Sequence, residues 1–239
     1  MMARRAGRRL AAVAVAMVSA VLGAEGCNSF PTVFGTLADD LPNSLCDGVG
    51  LRPDAGDGAR TVMPHVVVHT LRGAFDVSSR GMDSLARDLS RLGIEAYSHS
   101  DSEWQRVADR IASAYLGSRE PKQIVMVGHS FGGDCIIRIA EVLRLRGIPV
   151  ALLFPVDATI PPPVPDNVAK CVHFYIPWPI FEVAPWILPG QPVVAAEGNT
   201  FTRLENDDLT RSAWCVTHLG VDASRHVHQR ILDEILALP

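Results

Sequence analysis

From Pro64 onward, short β-branched apolar runs alternate with longer segments in which apolar residues recur every three or four positions. Alternation of that kind predicts strands and amphipathic helices in turn. The run at 65–70, HVVVHT, is the first buried strand, and Met82, Leu85, Ala86, Leu89 and Leu92 then mark a helix that Gly93 closes as a left-handed cap. A short strand, IEAYSH, occupies 94–99. Ser102 and Gln105 form a capping box for a helix whose apolar face is Trp104, Val107, Ala108, Ile111 and Tyr115. QIVMVG at 123–128 is the most apolar strand, which places it at the centre of the sheet. Beyond it, Ile136, Ile137, Ala140 and Leu143 stripe a helix that stops at Gly147. PVALLFPV (149–156) and KCVHFYI (170–176) are the next strands, PVVAAEG (192–198) is the last, and a helix over 222–238 carries Val227, Ile231 and Ile235 on one face.

This order of elements points to an α/β fold, a mostly parallel central sheet with helices on both faces. A chain of 239 residues that is 48% hydrophobic and 20% charged has core enough for one such domain, placed at 62–239. Disordered and collagen-like readings are excluded. Ten of the 17 prolines lie between Pro155 and Pro192, so this stretch is expected to hold extended loops, natural walls for a site.

Ahead of the domain, Arg4, Arg5, Arg8 and Arg9 precede an apolar run from Leu10 to Leu22. The run is short of the roughly 20 residues that span a bilayer, and its basic-then-apolar order matches a bacterial export signal over 1–27. Residues 28–61, with CDGVGLRPDAGDGAR, read as a flexible lead-in. Removal of the signal takes four arginines and one glutamate from a chain of formal charge −4, leaving −7. Such a balance argues against nucleic acid as a partner. Cys27 follows a small residue, as at the processing site of bacterial lipoproteins, but Ala24 and Glu25 fit that site poorly; acylation of Cys27 and simple cleavage near Gly23 or Ala24 both stand. Export would permit disulfides among Cys46, Cys135, Cys171 and Cys215. Their spacing shows no framework, however, and Cys135 and Cys171 are expected to be free core thiols. No phosphate-cradling loop and no metal-ligand spacing is present, so no cofactor or metal is expected; His65 and His69, on one strand face, read as packing.

Chemistry concentrates after the central strand, where Gly128-His129-Ser130-Phe131-Gly132 fits a nucleophile elbow. There a serine occupies a strained strand-to-helix turn, and glycines two positions to either side avoid collision with the neighbouring elements. By composition alone the bare pattern would arise in about one such chain in ten. Its weight comes from falling between the most apolar strand and a well-formed helix.

VMVGHSFGGD resembles the elbow of the α/β-hydrolase superfamily, and the order of elements extends the resemblance over 64–238. More narrowly, GMDSLARDLSRLGIEAYSH, GHSFGGD and THLGVD resemble compact bacterial hydrolases of lipase-like or thioesterase-like type. The resemblance implies the α/β-hydrolase fold, with Ser130 as nucleophile in ester, thioester or other acyl chemistry.

A serine hydroxyl needs a base within hydrogen-bond reach and a carboxylate to hold that base, in the chain order serine, acid, histidine. Of the downstream histidines, His173 lies inside a strand, and His226 and His228 lie within the last helix; His218, in the loop before that helix, is the expected base and matches the family's position. Asp157, at the carboxyl edge of the strand VALLFPV, is the expected acid, with Glu182, Glu205 and Asp207 in reserve. Asp157 could instead cap the proline-rich loop at Thr159, while Asp134 points along its helix and Asp222 is expected to cap the last helix. Two backbone N–H groups should stabilise an oxyanion: that of Phe131, and one after the first strand, with Leu71 chosen and Arg72 next. His129 reads as structural rather than basic.

The apolar stretch 174–190, FYIPWPIFEVAPWILPG, serves either as a wall or lid for an acyl chain and a surface for lipid, or as packing over the sheet. Two functions follow as expectations: an exported serine hydrolase of a carboxylic ester or thioester, acting through an acyl-enzyme, or a catalytically silent envelope protein that binds lipid or peptide on the same scaffold. Acylated Cys27 or the 174–190 loop would supply any membrane association.

Overall fold

The computed structural model describes residues 63–73, 79–177, 190–212, 217–218 and 220–239. The expected export signal, the lead-in and most of the 174–190 loop lie outside them. Described elements run β1 (Val66–Leu71), α1 (Arg80–Arg91), β2 (Glu95–His99), a 3-10 turn (Asp101–Glu103), α2 (Trp104–Gly117), β3 (Gln123–His129), α3 (Phe131–Arg144), β4 (Val150–Val156), β5 (Val168–Tyr175) and β6 (Arg203–Asp208). A one-turn helix α4 (Leu209–Ser212), a 3-10 turn (Val221–Ala223) and α5 (Arg225–Leu236) complete them.

Six strands form one sheet in the order β2-β1-β3-β4-β5-β6, with every described pairing parallel. Parallel neighbours need crossovers, and helices supply them, so both faces of the sheet become buried. On one face Val66, Val68, Val125 and Phe154 pack under Met82, Leu85 and Leu89 of α1 and Val227, Ile231 and Ile235 of α5. On the other, Ile124, Met126 and Leu153 meet Val107, Ala108 and Ile111 of α2 and Ile136, Ile139, Ala140 and Leu143 of α3. The α/β-hydrolase arrangement expected from the sequence is present: a parallel sheet whose central strand, β3, runs straight into the serine turn. Gly93 (φ +89°) and Gly147 (φ +70°) end α1 and α3 in the left-handed conformation, each followed by an N–H that reaches back five residues, Ile94 to Leu89 O and Ile148 to Leu143 O, at 3.0 Å.

Three expectations are corrected. PVVAAEG is not a strand; Ala195 makes only an isolated parallel bridge with Val164. The last strand is instead RLENDD, β6, an edge strand whose Glu205 is ion-paired with Arg230 of α5 at 2.8 Å. At the start of α2 no Ser102–Gln105 box forms, because Ser100 accepts the Ser102 N–H and a 3-10 turn precedes Trp104. Finally, Cys135 is disulfide-bonded, its partner lying outside the described residues, whereas Cys171 is the free, buried thiol expected. His65 sits in the turn before β1, and His69 packs instead with Tyr97 and His99 of β2, its Nδ1 lying 3.1 Å from His99 Nε2.

Candidate active site

β3 delivers Ser130 to the carboxyl edge of the sheet. The residue has φ 56° and ψ −125°, a conformation that costs a non-glycine residue about 1–3 kcal/mol and persists only when its surroundings enforce it. Here they do: Ser130 N–H donates to Val156 O at 2.9 Å, and Ser130 O accepts from Gly133 N–H at 2.9 Å. The flanking glycines are required by contact. A Cβ on Gly128 would lie 2.2 Å from Gly132 O, and one on Gly132 would lie 2.5 Å from both Leu71 O and Arg72 O.

Asp157 follows β4 directly and has φ 46°. Ser130 and Asp157 are the two non-glycine residues with positive φ among the described residues. The Asp157 main chain is pinned by donation to Phe174 O at 2.7 Å, and its Oδ1 accepts the Ile176 N–H at 3.0 Å. Two residues on, Asp134 of α3 accepts from Thr159 N–H at 3.0 Å, Thr159 Oγ1 at 2.6 Å and Ile160 N–H at 3.0 Å. The carboxylate that caps this loop is therefore Asp134, pointing across from α3 rather than along it, and Asp157 is left to another partner.

That partner is His218. Its Nδ1 lies 2.7 Å from Asp157 Oδ2 and its Nε2 3.0 Å from Ser130 Oγ. Each of the three residues is buried, with 3–7% of its surface exposed. With a carboxylate on one nitrogen and a hydroxyl on the other, the neutral ring donates from Nδ1–H and accepts at Nε2. A lone pair thus faces the serine hydroxyl, as abstraction of its proton demands.

The other candidates are placed elsewhere. His173 is buried in β5 with Nδ1 3.3 Å from Asn206 Oδ1, His226 is exposed on α5, and His228 donates from Nε2 to Asp222 O at 2.6 Å. Glu205 is ion-paired on β6, Asp207 sits opposite Phe174 in the β5–β6 register, and Glu182 lies outside the described residues. Asp222 does not cap α5, whose N-cap position is Ser224; its Oδ2 accepts the Gly81 N–H at 2.8 Å and so caps α1 across the chain.

Phe131 opens α3, so its N–H has no intrahelical acceptor and is free for an oxyanion. The second expected donor is corrected. Arg72 N–H donates to His99 O at 3.0 Å, and the alternation of a parallel ladder turns the N–H of Leu71 the other way, into its pairing with Gly128 of β3. Gly73 N–H donates to Ser79 Oγ at 3.1 Å. No main-chain N–H is left over at 71–73.

Sequence reasoning missed Ser79 and the reach of His129. The His129 ring touches Ser79 Oγ through Nδ1 and His218 O through Nε2, both at 2.8 Å. An N-cap position on Ser79 and a histidine inside the elbow were the available signals, but nothing in the spacing joins residues 79, 129 and 218.

Burial sets the protonation of the interior. It holds His69 and His129 down at about 3 and His99 and His173 at about 4, lowers His228, and pushes Asp134 up to about 6 and Asp222 to about 7. Each of these lowered imidazoles contributes stability that is present above its ordinary 6.5 and lost as pH falls below it, at about 1.4 kcal/mol per proton per pH unit for a fully buried ring and less for the solvent-screened His99. The two carboxyls act oppositely: their contribution is full below the ordinary 3.8 and lost as pH rises through 6–7. Five imidazoles outnumber two carboxyls, so the melting temperature is expected to drop as pH is lowered from 6.5 to 4.5. A thermal melt series that stays level or rises over that window would contradict this.

No protein-family model and no curated protein matches the chain. Among solved structures it is similar to the NocB thioesterase domain from the nocardicin cluster, at 10% identity and TM-score 0.46 over 74% of this chain and 96% of that one. It is also similar to the RedJ thioesterase of the prodiginine pathway in Streptomyces coelicolor, at 14% identity and TM-score 0.46 over 78% and 97%. A metagenomic carboxyl esterase gives 13% and 0.41 over 85% and 87%. Likenesses this distant decide nothing about the chemistry of this chain.

Proposed function

We propose that this protein is a serine hydrolase that cleaves a carboxylic ester or thioester through an acyl-enzyme, with Ser130 as nucleophile, His218 as general base and acid, and Asp157 as the carboxylate that orients the base. One observation carries the reading: the unbroken contact Ser130 Oγ, His218 Nε2, His218 Nδ1, Asp157 Oδ2, at 3.0 and 2.7 Å, built from three separate loops at one edge of the sheet.

In the first half-reaction Ser130 Oγ bonds to the acyl carbon as His218 Nε2 takes its proton. Asp157 stays ionised, holding Nδ1–H and stabilising the imidazolium. The Phe131 N–H supports the oxyanion of the tetrahedral intermediate, where one donor is worth about 2.7–4 kcal/mol. Collapse breaks the bond to the alcohol or thiol, which leaves with the proton from His218. Water then gives a proton to His218 as its oxygen bonds to the acyl carbon, and collapse breaks the bond to Ser130 Oγ, which takes that proton from His218 as the acid leaves.

The same reading makes the chain an exported protein of the bacterial cell envelope. The arginine-led apolar N-terminus supports this, and so does the disulfide at Cys135, since such bonds persist in oxidising compartments. Among the described residues no helix is long and apolar enough to cross a membrane.

A fluorophosphonate probe tests the assignment directly. Labelling of folded protein is expected to give one adduct, mapped to Ser130, and a panel of p-nitrophenyl esters of rising chain length with acyl-CoA thioesters then reads the acyl preference. A folded sample that takes no label on Ser130 would sink the hydrolase and leave a binding protein on this scaffold.

A further inference from the structure

His129 stands beside the nucleophile with 1% of its surface exposed, and burial, reinforced by the neighbouring His218, holds its imidazole neutral. A neutral ring has one N–H and one lone pair, and both of its nitrogens are engaged. The partner of Nε2, the main-chain carbonyl of His218, can only accept, so Nε2 carries the hydrogen. Nδ1 is then the acceptor, and the Ser79 hydroxyl must donate to it. Ser79 Oγ in turn accepts the Gly73 N–H. The result is a relay with one direction: Gly73 N–H to Ser79, Ser79 O–H to His129, His129 Nε2–H to the carbonyl of His218. It runs from the exit of β1, through the N-cap position of α1, to the loop that bears the base.

Near His218 the described main-chain bonds are local, Thr217 O accepting from Gly220 and Val221 N–H at 3.0 and 2.9 Å. The His218 side chain is fixed by Asp157, but a ring fixed at its tip still swings if its backbone moves. A misplacement of about 1 Å can cost a hundredfold in rate.

We infer that His129 is a positioning residue: through Nε2–H it clamps the main chain of His218, setting the base against Ser130, and it exchanges no proton with substrate. This rests on the proposed hydrolase reading. Two variants separate the contacts. Glutamine places its amide nitrogen near the position of Nε2 and can still donate to the carbonyl; asparagine reaches only as far as Nδ1 and serves Ser79 alone. With p-nitrophenyl butyrate, assayed well below each variant's melting temperature, His129→Asn is expected to lose about 10- to 100-fold in kcat, with KM within about twofold and the pH profile of kcat/KM unmoved. His129→Gln should recover most of that loss, although both lose one contact. Equal activity of the two variants, or a shifted profile, would overturn the proposal.

Should neither variant fold, the unaltered protein still decides the matter. Nitrogen-15 NMR of its histidines is expected to show His129 as the Nε2–H tautomer without titration between pH 5 and 8. The Nδ1–H tautomer, or a titrating ring, would overturn the clamp. This measurement needs no turnover, so it separates failure of the relay from failure of the hydrolase reading, which the fluorophosphonate label tests alone.

Discussion

Replacing Ser130 with alanine is expected to lower ester turnover by roughly five to six orders of magnitude while leaving the fold intact. Ser130 is 7% exposed and its main chain, not its side chain, makes the bonds that hold the elbow, so removal of the hydroxyl opens a void of one atom and disturbs no strand. Strain argues the same way, since alanine tolerates φ 56° no better and no worse than serine. His218→Ala should cost nearly as much, and the double variant no more than either single one, because an attacking oxygen and its base act as one unit. Initial rates on a p-nitrophenyl ester, with melting temperatures beside them, check all three. A Ser130→Ala protein that keeps a tenth of its activity would mean that the turnover belongs to another group.

The second large effect is on stability. Gly132→Ala would drive a Cβ to 2.5 Å from two carbonyl oxygens at the end of β1, and Gly128→Ala would drive one to 2.2 Å from Gly132 O. These neighbours are backbone, pinned in the sheet and in the first turn of α3, so neither can step aside as a long side chain could. Each variant is expected to lose about 3 kcal/mol or more, a fall of about 10 °C in melting temperature for a domain of this size, or to fail to fold. Gly117→Ala is the internal control. Nothing lies within 4 Å of its Cβ, at the end of α2, and it should be neutral or stabilising by about 0.5 kcal/mol. Thermal melts that rank Gly132→Ala beside Gly117→Ala would remove the steric account of the elbow.

Much of this was legible in the chain, for reasons that differ by element. β3 and β4 are covered on both faces and so read as continuous apolar runs, and α1 and α5 show a stripe at helical spacing. The elbow was legible because sterics leave glycine alone at 128 and 132. Ser130 and Asp157 could be picked by chain order together with their places at strand ends, and His218 by its place in the loop before the last helix. β6 escaped because RLENDD has one apolar residue, the partly buried Leu204, and otherwise meets its neighbours through ion pairs, Glu205 with Arg230 and Lys170. The roles of Leu71, Asp134 and Asp222 escaped for another reason: which N–H a carboxylate or an oxyanion can find depends on strand register and on contacts between residues far apart in sequence. Asp134 and Thr159, Asp222 and Gly81, and His129 and His218 are pairs of that sort.

The bond between Asp222 and Gly81 spans 141 residues, and that span has a consequence for synthesis. As the polypeptide leaves the ribosome, the first turn of α1 emerges long before its distant acceptor, and water must satisfy it meanwhile. Only when the final stretch arrives can helix and loop be joined, and only then can the imidazole reach the alcohol. A nascent chain stalled before residue 218 should therefore be both loosely folded at its front and chemically inert.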